Sequence, residues 1–284
     1  MNKPGKMSHQ AAECCLIILL LTSFGALAQT LSICTFNTRD FGRTKVKDTD
    51  RVNVLAGIVR KYDIVAIQEI SDKTCVVPGV FLEKINDNGQ YHYEYLCSER
   101  TGKQADDAGG AEQYAFYYNA GKVSLAGEPA LYDDSRNDRF AREPYTARFK
   151  TKKGNFTFVL ITVHTDPDHA VQEIGSLDEV ARWAGRKYNN EKDIIVLGDF
   201  NASCDYAKPA RLDSLDIRKG GYCWIVPDNA KTNISANADC AYDRIVVTPS
   251  AKLYYTGEWG VDSCFTNNRI SDHWPVWAVF KVKK

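Results

Sequence analysis

The sequence predicts an α/β fold: two packed β-sheets with helices on the outside. Short apolar runs with the length and β-branched content of buried strands recur along the chain. Two longer stretches between them carry apolar residues at helical spacing. Nearly every apolar run also ends abruptly in Asn, Gln, Glu, Asp or His. Folds that cover sheets with helices place functional groups at such strand ends, because loops converge there while the strands stay rigid.

The expected strands are 31–36, 64–67, 115–118, 156–163, 194–197, 244–247 and 274–280. A helix is expected over 51–62, with Val52, Leu55, Ile58 and Val59 on one face. A second is expected over 170–188, with Ile174, Leu177, Val180 and Ala181 on one face and Asp168 as its cap. There is no internal repeat, low-complexity run or long linker, so residues 29–284 read as one domain. A chain of that length buries a substantial core without metals or disulfides.

Residues 1–28 read as a secretory leader. Lys3 and Lys6 precede an apolar run over 11–21, and Ala26-Leu27-Ala28 has the small-x-small pattern of a cleavage site. The run is short for a membrane span, and no later segment is apolar enough to cross a bilayer. The reading is a secreted or periplasmic protein cut near Ala28, without membrane attachment or an obligate protein partner, and monomeric.

Removing the leader takes Lys3, Lys6 and Glu13 from 36 basic and 36 acidic residues, leaving a formal charge of −1. A protein that merely adsorbs polyanions would be strongly basic. Any engagement of nucleic acid must use a local basic patch and a metal. Of nine cysteines, Cys14 and Cys15 lie in the leader and seven remain. None has zinc-finger spacing, and in an exported chain they read as disulfides with an odd one over. Cys34, in an apolar strand, is the expected unpaired thiol.

The strand-end residues each have an ordinary reading and a chemical one. Asp199 and Asn201 lie two apart in Val196-Leu197-Gly198-Asp199-Phe200-Asn201, so they share a face of an extended segment. They either close an Asx turn or hold a water and a phosphate oxygen together. Glu69 is either a solvated loop acid or an oxygen ligand for a hard cation. His164 and His273 are either hydrogen-bonded structural residues or proton carriers for phosphodiester cleavage. Asp243 either pairs with its neighbour Arg244 or orients an imidazole. Six polar sets, each at an apolar strand edge, are improbable as independent accidents.

The chain resembles the endonuclease/exonuclease/phosphatase superfamily and, within it, the deoxyribonuclease I family. The stretches that carry the likeness include Thr35-Phe36-Asn37-Thr38-Arg39, Ile67-Gln68-Glu69, Arg142-Glu143-Pro144 and His164-Thr165-Asp166-Pro167. Gly198-Asp199-Phe200-Asn201, Cys240-Ala241-Tyr242-Asp243-Arg244 and Ser271-Asp272-His273 complete them. The resemblance runs from about residue 31 to 280. It implies a four-layer α/β/β/α sandwich and metal-dependent endonuclease activity on DNA.

By that likeness, Glu69 and Asn37 hold Mg²⁺ or Mn²⁺ with Asp272 nearby, and Asp199 and Asn201 position water and phosphate. His164 pairs with Glu112 and His273 with Asp243, one pair acting as base and the other as acid. Arg142 clamps the phosphate, Cys204 and Cys240 form a disulfide, and Asp134, Asp138 and Glu143 form a structural Ca²⁺ site. The remaining cysteines are then assigned as Cys75–Cys97 and Cys223–Cys264.

Some family features differ. A groove-binding arginine is Ser71 here and a stacking tyrosine is Gly110. Catalysis should survive both changes, while groove binding should weaken. A second Ca²⁺ site near 232–238 has Ile234, Ala236 and Ala238 in place of oxygen ligands and is expected to be absent. Two other readings remain. One is a different phosphodiesterase of the same fold, a sphingomyelinase or phosphoinositide phosphatase. The other is a non-catalytic binding module, which would require loss of Glu69, Asp199 or His273.

Overall fold

The computed structural model describes residues 1, 29–87, 89–102 and 110–283. Apart from Met1, the expected leader and its cleavage point lie outside the described residues. In chain order the first strands are β1 (Thr30–Asn37), β2 (Ile64–Ile70), β3 (Tyr93–Cys97), β4 (Gln113–Asn119), β5 (Val123–Leu125) and β6 (Ala130–Leu131). They are followed by β7 (Tyr145–Thr151), β8 (Thr157–His164), β9 (Ile194–Asp199), β10 (Cys223–Trp224), β11 (Asp243–Val247), β12 (Tyr255–Val261) and β13 (Val276–Lys281). The longer helices are α2 (Thr49–Val59), α3 (Val77–Asn86) and α4 (Ala170–Lys187). The short ones are α1 (Arg43–Lys47), α5 (Pro209–Leu212), α6 (Asp216–Lys219) and α7 (Pro249–Lys252).

One sheet has the order β12-β13-β1-β2-β4-β3. The other has the order β10-β11-β9-β8-β7-β5, with β6 on β7. Side-chain alternation along each strand builds the layers. In β1, Ile33 faces the other sheet while Cys34 and Phe36 pack under the helices. The inter-sheet core joins Ile33, Ile64 and Ala66 to Leu160, Ile195 and Leu197. On one outer side Val52, Leu55 and Val59 of α2 and Phe81 of α3 cover Val65 and Ile67. On the other, Ile174, Leu177 and Ala181 of α4 cover Val159, Ile161 and Val163. The result is the four-layer α/β/β/α sandwich. Central strands buried on both faces read as continuous apolar runs, which is why they are the easiest to find in the sequence.

Topology then gathers the polar strand ends. β1 and β2 run parallel with Asn37 opposite Gln68, and β8 and β9 run parallel with His164 opposite Asp199. Both pairs therefore end at the same edge of the sandwich. β11 is antiparallel to β9, so it starts there, with Asp243 opposite Asp199. β13 is antiparallel to β1, so the turn carrying Asp272 and His273 arrives at that edge as well. Gln68 ties the two sheets together beneath the edge. Its buried Nε2 donates to Thr162 Oγ1 at 2.8 Å, and its Oε1 accepts from Thr35 Oγ1 at 3.2 Å.

Several expectations need correction. The helix expected over 51–62 spans Thr49–Val59, capped by Asp48, whose side chain accepts from the Arg51 amide. Asp168 does not cap α4. His169 occupies the N-cap position without a side-chain bond, and Asp166 Oδ1 accepts from the amides of Asp168 and His169 instead. α3 escaped sequence reading because Pro78-Gly79 resembles a break, yet Pro is well placed in a first helical turn. Cys204 and Cys240 are bonded, and Cys34 is a buried thiol. Cys75, Cys97, Cys223 and Cys264 are thiols, against the assigned pairings. Cys75 and Cys97 share the Gln113 amide, which donates to the two sulfurs at 3.2 and 3.4 Å. Cys223 and Cys264 belong to different sheets: Cys223 lies on β10, and Cys264 follows β12.

The close approach of β8 and β9 depends on Gly198. Its φ is +148°, and a Cβ there would lie 2.0 Å from the Val163 carbonyl oxygen. Gly198→Ala should lower unfolding free energy by about 2 kcal/mol or more, since the neighbour is backbone and cannot swing away. Urea unfolding checks this, and a loss below about 0.5 kcal/mol, the range of ordinary surface substitutions, would contradict it.

Candidate active site

Asp199 ends β9, buried, with its Oδ1 accepting from the Asn201 amide at 3.0 Å. That is the Asx turn of the ordinary reading, and it leaves Oδ2 for the site. Three groups surround this one oxygen. Asn37 Nδ2 donates to it at 3.0 Å. His164 Nε2 lies 3.6 Å away and His273 Nε2 3.5 Å away. Burial alone would raise the Asp199 pKa, but the His273 and His164 charges and the hydrogen bonds hold it below the usual carboxylate value.

Each imidazole has a carboxylate behind it. His164 Nδ1 lies 2.9 Å from Glu112 Oε2, and His273 Nδ1 lies 2.8 Å from Asp243 Oδ2. Burial works against protonation of both rings, but the paired carboxylates and Asp199 outweigh it. The His164 pKa is raised, and that of His273 is pushed up to about 10. Glu112 shifts downward: burial would raise it, but the His164 and Arg142 charges prevail.

Glu69 reaches the same centre through unusual backbone. Its φ is +60°, in the left-handed region, at an irregularity in the β2–β4 register. Such a bulge re-aims a side chain. Glu69 Oε1 accepts from Asn37 Nδ2 at 2.7 Å, and Oε2 accepts from the Asp40 amide at 2.9 Å. Two carboxylates, Glu69 and Asp199, thus converge on one amide nitrogen. Hard oxygen donors so arranged suit a hard divalent cation. Asp272 lies to one side, 3.7 Å from Arg39 Nε. Among the described residues, Asp199, Asp243 and His273 also lie close enough to share an ion. Within that second set His273 Nδ1 is already paired with Asp243 Oδ2 at 2.8 Å.

Two other assigned residues are held by backbone carbonyls. Asn201 Nδ2 donates to the Thr165 carbonyl at 2.9 Å. The Arg142 guanidinium, largely buried, donates to the carbonyls of His164 and Thr165 at 3.0 and 3.1 Å and lies 3.7 Å from Glu112. In the assigned Ca²⁺ set, Asp134 Oδ2 accepts from the Arg139 and Phe140 amides, and Glu143 accepts from the Thr101 hydroxyl.

Sequence reading missed a set of positioning groups. Ser271 Oγ donates to the Asn37 carbonyl at 2.7 Å and accepts from the His273 amide at 3.0 Å. Thr232 Oγ1 accepts from the Asp243 amide at 3.1 Å. Lys45 Nζ donates to the carbonyls of Thr38, Arg39 and Ile270, and burial lowers its pKa to about 8. Glu173 accepts from the amides of Ala141 at 2.9 Å and Asp166 at 3.2 Å, and burial raises its pKa to about 7. It binds the Arg142 and His164 loops together. Glu173 is marked in the sequence by its place in the first turn of α4, where acids are common, and by the Ala170-Val171-Gln172-Glu173-Ile174 stretch of the family resemblance.

The fold and this edge-on cluster of acids and histidines define a hydrolase class. The chain belongs to the endonuclease/exonuclease/phosphatase family, whose model matches residues 34–273. It lies on the deoxyribonuclease I branch. It is 33% identical to deoxyribonuclease-1 of Bos taurus over 277 residues, covering 92% of this chain and 95% of the relative. It is 33% identical to deoxyribonuclease gamma of Homo sapiens, covering 85% and 78%. A solved family member from Bacteroides vulgatus shares the fold at TM-score 0.63 and 15% identity, over 89% of this chain and 99% of the other.

Proton binding tests the electrostatic account. In chelator-treated protein, His273 should remain protonated through pH 8, and Asp243→Asn should lower its pKa. A raised folded-state pKa means that the stabilisation is complete below about 6.5, the unfolded value. It fades as pH rises toward about 10. NMR titration of labelled imidazoles checks this. A native His273 pKa at or below 6.5 would contradict it.

Proposed function

We propose that the protein is an exported, divalent-metal-dependent endonuclease that hydrolyses DNA phosphodiester bonds. The observation that carries the reading is the single oxygen Asp199 Oδ2 flanked by two histidine–carboxylate pairs. Hydrolysis of a phosphodiester needs one proton removed from the attacking water and one delivered to the leaving alkoxide. Two imidazoles on either side of one anionic centre supply both. One pair takes the proton from water, the other gives its proton to the departing oxygen, and Glu112 and Asp243 fix the rings and stabilise their charged forms. Asp199 and Asn201 position the water and phosphate. Arg142, braced by the His164 and Thr165 carbonyls, presents its remaining positive charge to the phosphate.

Glu69 and Asn37, with Asp272 nearby, would hold Mg²⁺ or Mn²⁺. When bound, such an ion supplies charge neutralisation at the phosphoryl oxygens. DNA is favoured over a lipid or inositol diester because relatives above 30% identity over nearly the whole chain bear the name deoxyribonuclease. The leader expected over 1–28 supports work outside the cytoplasm. Among the described residues no helix is long and apolar enough to cross a membrane.

The mature protein should nick supercoiled plasmid in Mg²⁺ and stop in excess chelator. Asp199→Asn and His273→Gln should each lower kcat by about 10²–10⁴, the span of general acid–base contributions. Gel assay of relaxed circles measures both effects. Undiminished cleavage in chelator, or in folded variants, would defeat the mechanism.

A further inference from the structure

A cavity of about 390 Å³ opens beside the active edge, lined by Arg39, Asp40, Lys45, Arg51, Asn268 and Arg269 among others. Three guanidinium groups and an ammonium meet one carboxylate there. Asp48 and Asp272 neutralise part of the charge, Asp48 through Arg51 Nε at 2.7 Å and Asp272 through Arg39 Nε at 3.7 Å. Against Asp40, Asp48 and Asp272, the four cations leave one positive charge in excess. The bond to Asp48 uses Arg51 Nε, which leaves the fork of terminal nitrogens to a ligand. Arg269 is exposed; its backbone amide donates to Asn267 Oδ1 at 3.0 Å, and its charge also acts on Asp48.

The cavity is joined to the chemistry through short connections. The Asp40 amide donates to Glu69 Oε2 at 2.9 Å. Arg39 stands between Asp272 and the cavity, donating to the Asn268 carbonyl at 3.3 Å. Lys45 fastens the carbonyls of Thr38 and Ile270 under its floor. A phosphate diester held over Asp199 would continue along its strand toward this opening.

We propose that the cavity is a subsite for the backbone phosphate next to the scissile one, with Arg51 and Arg269 as its specificity-determining cations. This deepens the DNA reading and rests on it. Forked guanidinium donors suit phosphate oxygens, and the volume admits a phosphate with its sugar. A chain of formal charge −1 without its leader has to meet a polyanion through a local patch, and four cations gather in this cavity beside the site. It also offers backbone grip where Ser71 and Gly110 lack a groove-binding side chain.

The test uses the full protein with Mg²⁺ on two substrates. One is a defined 20-base-pair duplex; the other is bis(p-nitrophenyl) phosphate, a diester with no neighbouring phosphate. Arg51→Gln with Arg269→Gln should raise duplex KM about tenfold with kcat nearly unchanged. The slope of log KM against log salt should fall by about 0.9, one phosphate's worth of released counterions. The small diester should be cut as before. Arg269→Lys, which keeps the charge on an exposed side chain, should restore part of the loss on that side. Arg269→Gln alone should move KM in the same direction without any risk to folding at the Arg51–Asp48 pair.

Unchanged KM and salt slope in folded variants overturn the subsite while leaving the DNA reading intact. Equal losses on both substrates overturn it too, by showing damage to the catalytic edge. A wild-type protein that cuts the small diester and leaves DNA intact overturns both the DNA reading and the subsite.

Discussion

Asp199 carries a negative charge in a place with almost no water, and the surrounding structure is arranged to make that tolerable. An isolated buried carboxylate costs several kcal/mol. Here the cost is offset by an amide from Asn37, two imidazoles, and a backbone amide from Asn201. Those partners come from β1, the end of β8, the turn before β13 and the residues just after β9. None is near Asp199 in sequence except Asn201, so the charge is stable only when both sheets are assembled in register. Folding and site formation are thus one event in this chain.

The same requirement explains the ring of bonds around the centre. Imidazoles that share one anion with carboxylates behind them must not drift, because a small displacement trades attraction for repulsion between acids. Ser271 and Thr232 fix the strand starts that carry His273 and Asp243. Glu173 and Arg142 bind the loops on the His164 side, and Lys45 binds those on the Asn37 side. Both Lys45 and Glu173 are buried enough to be driven toward their neutral forms, Lys45 to about 8 and Glu173 to about 7. Held in this way, the site has little freedom left to lose when substrate arrives, which favours catalysis through preorganisation.

Much of this was legible in the sequence, for physical reasons that differ by residue. Central strands such as β2 and β9 are buried on both faces and appear as unbroken apolar runs. The edge strand β12, with Gly257 and Glu258 facing solvent, carries no such signal. Asp199, His164 and His273 stood out because charge or imidazole directly adjoins an apolar run. Resemblance supplied what spacing could not, namely the pairing of His164 with Glu112, 52 positions away. Ser271 stood within the Ser271-Asp272-His273 stretch but had no role of its own there, and Thr232 and Lys45 were invisible because common polar residues in loops have no periodicity to betray them. The pairings of Cys75, Cys97, Cys223 and Cys264 went astray for another reason: the residue type was present, but spacing does not say which thiols the fold brings together.

If His164 and His273 serve one reaction centre across Asp199 Oδ2, neither can work without the other. Single-turnover rates of duplex cleavage for His164→Ala, His273→Ala and the double variant measure that dependence most directly. The account predicts that the double variant is about as slow as either single one, as happens when residues act as a unit. Losses that multiply would mean that the two histidines contribute independently, and the shared centre would have to be abandoned.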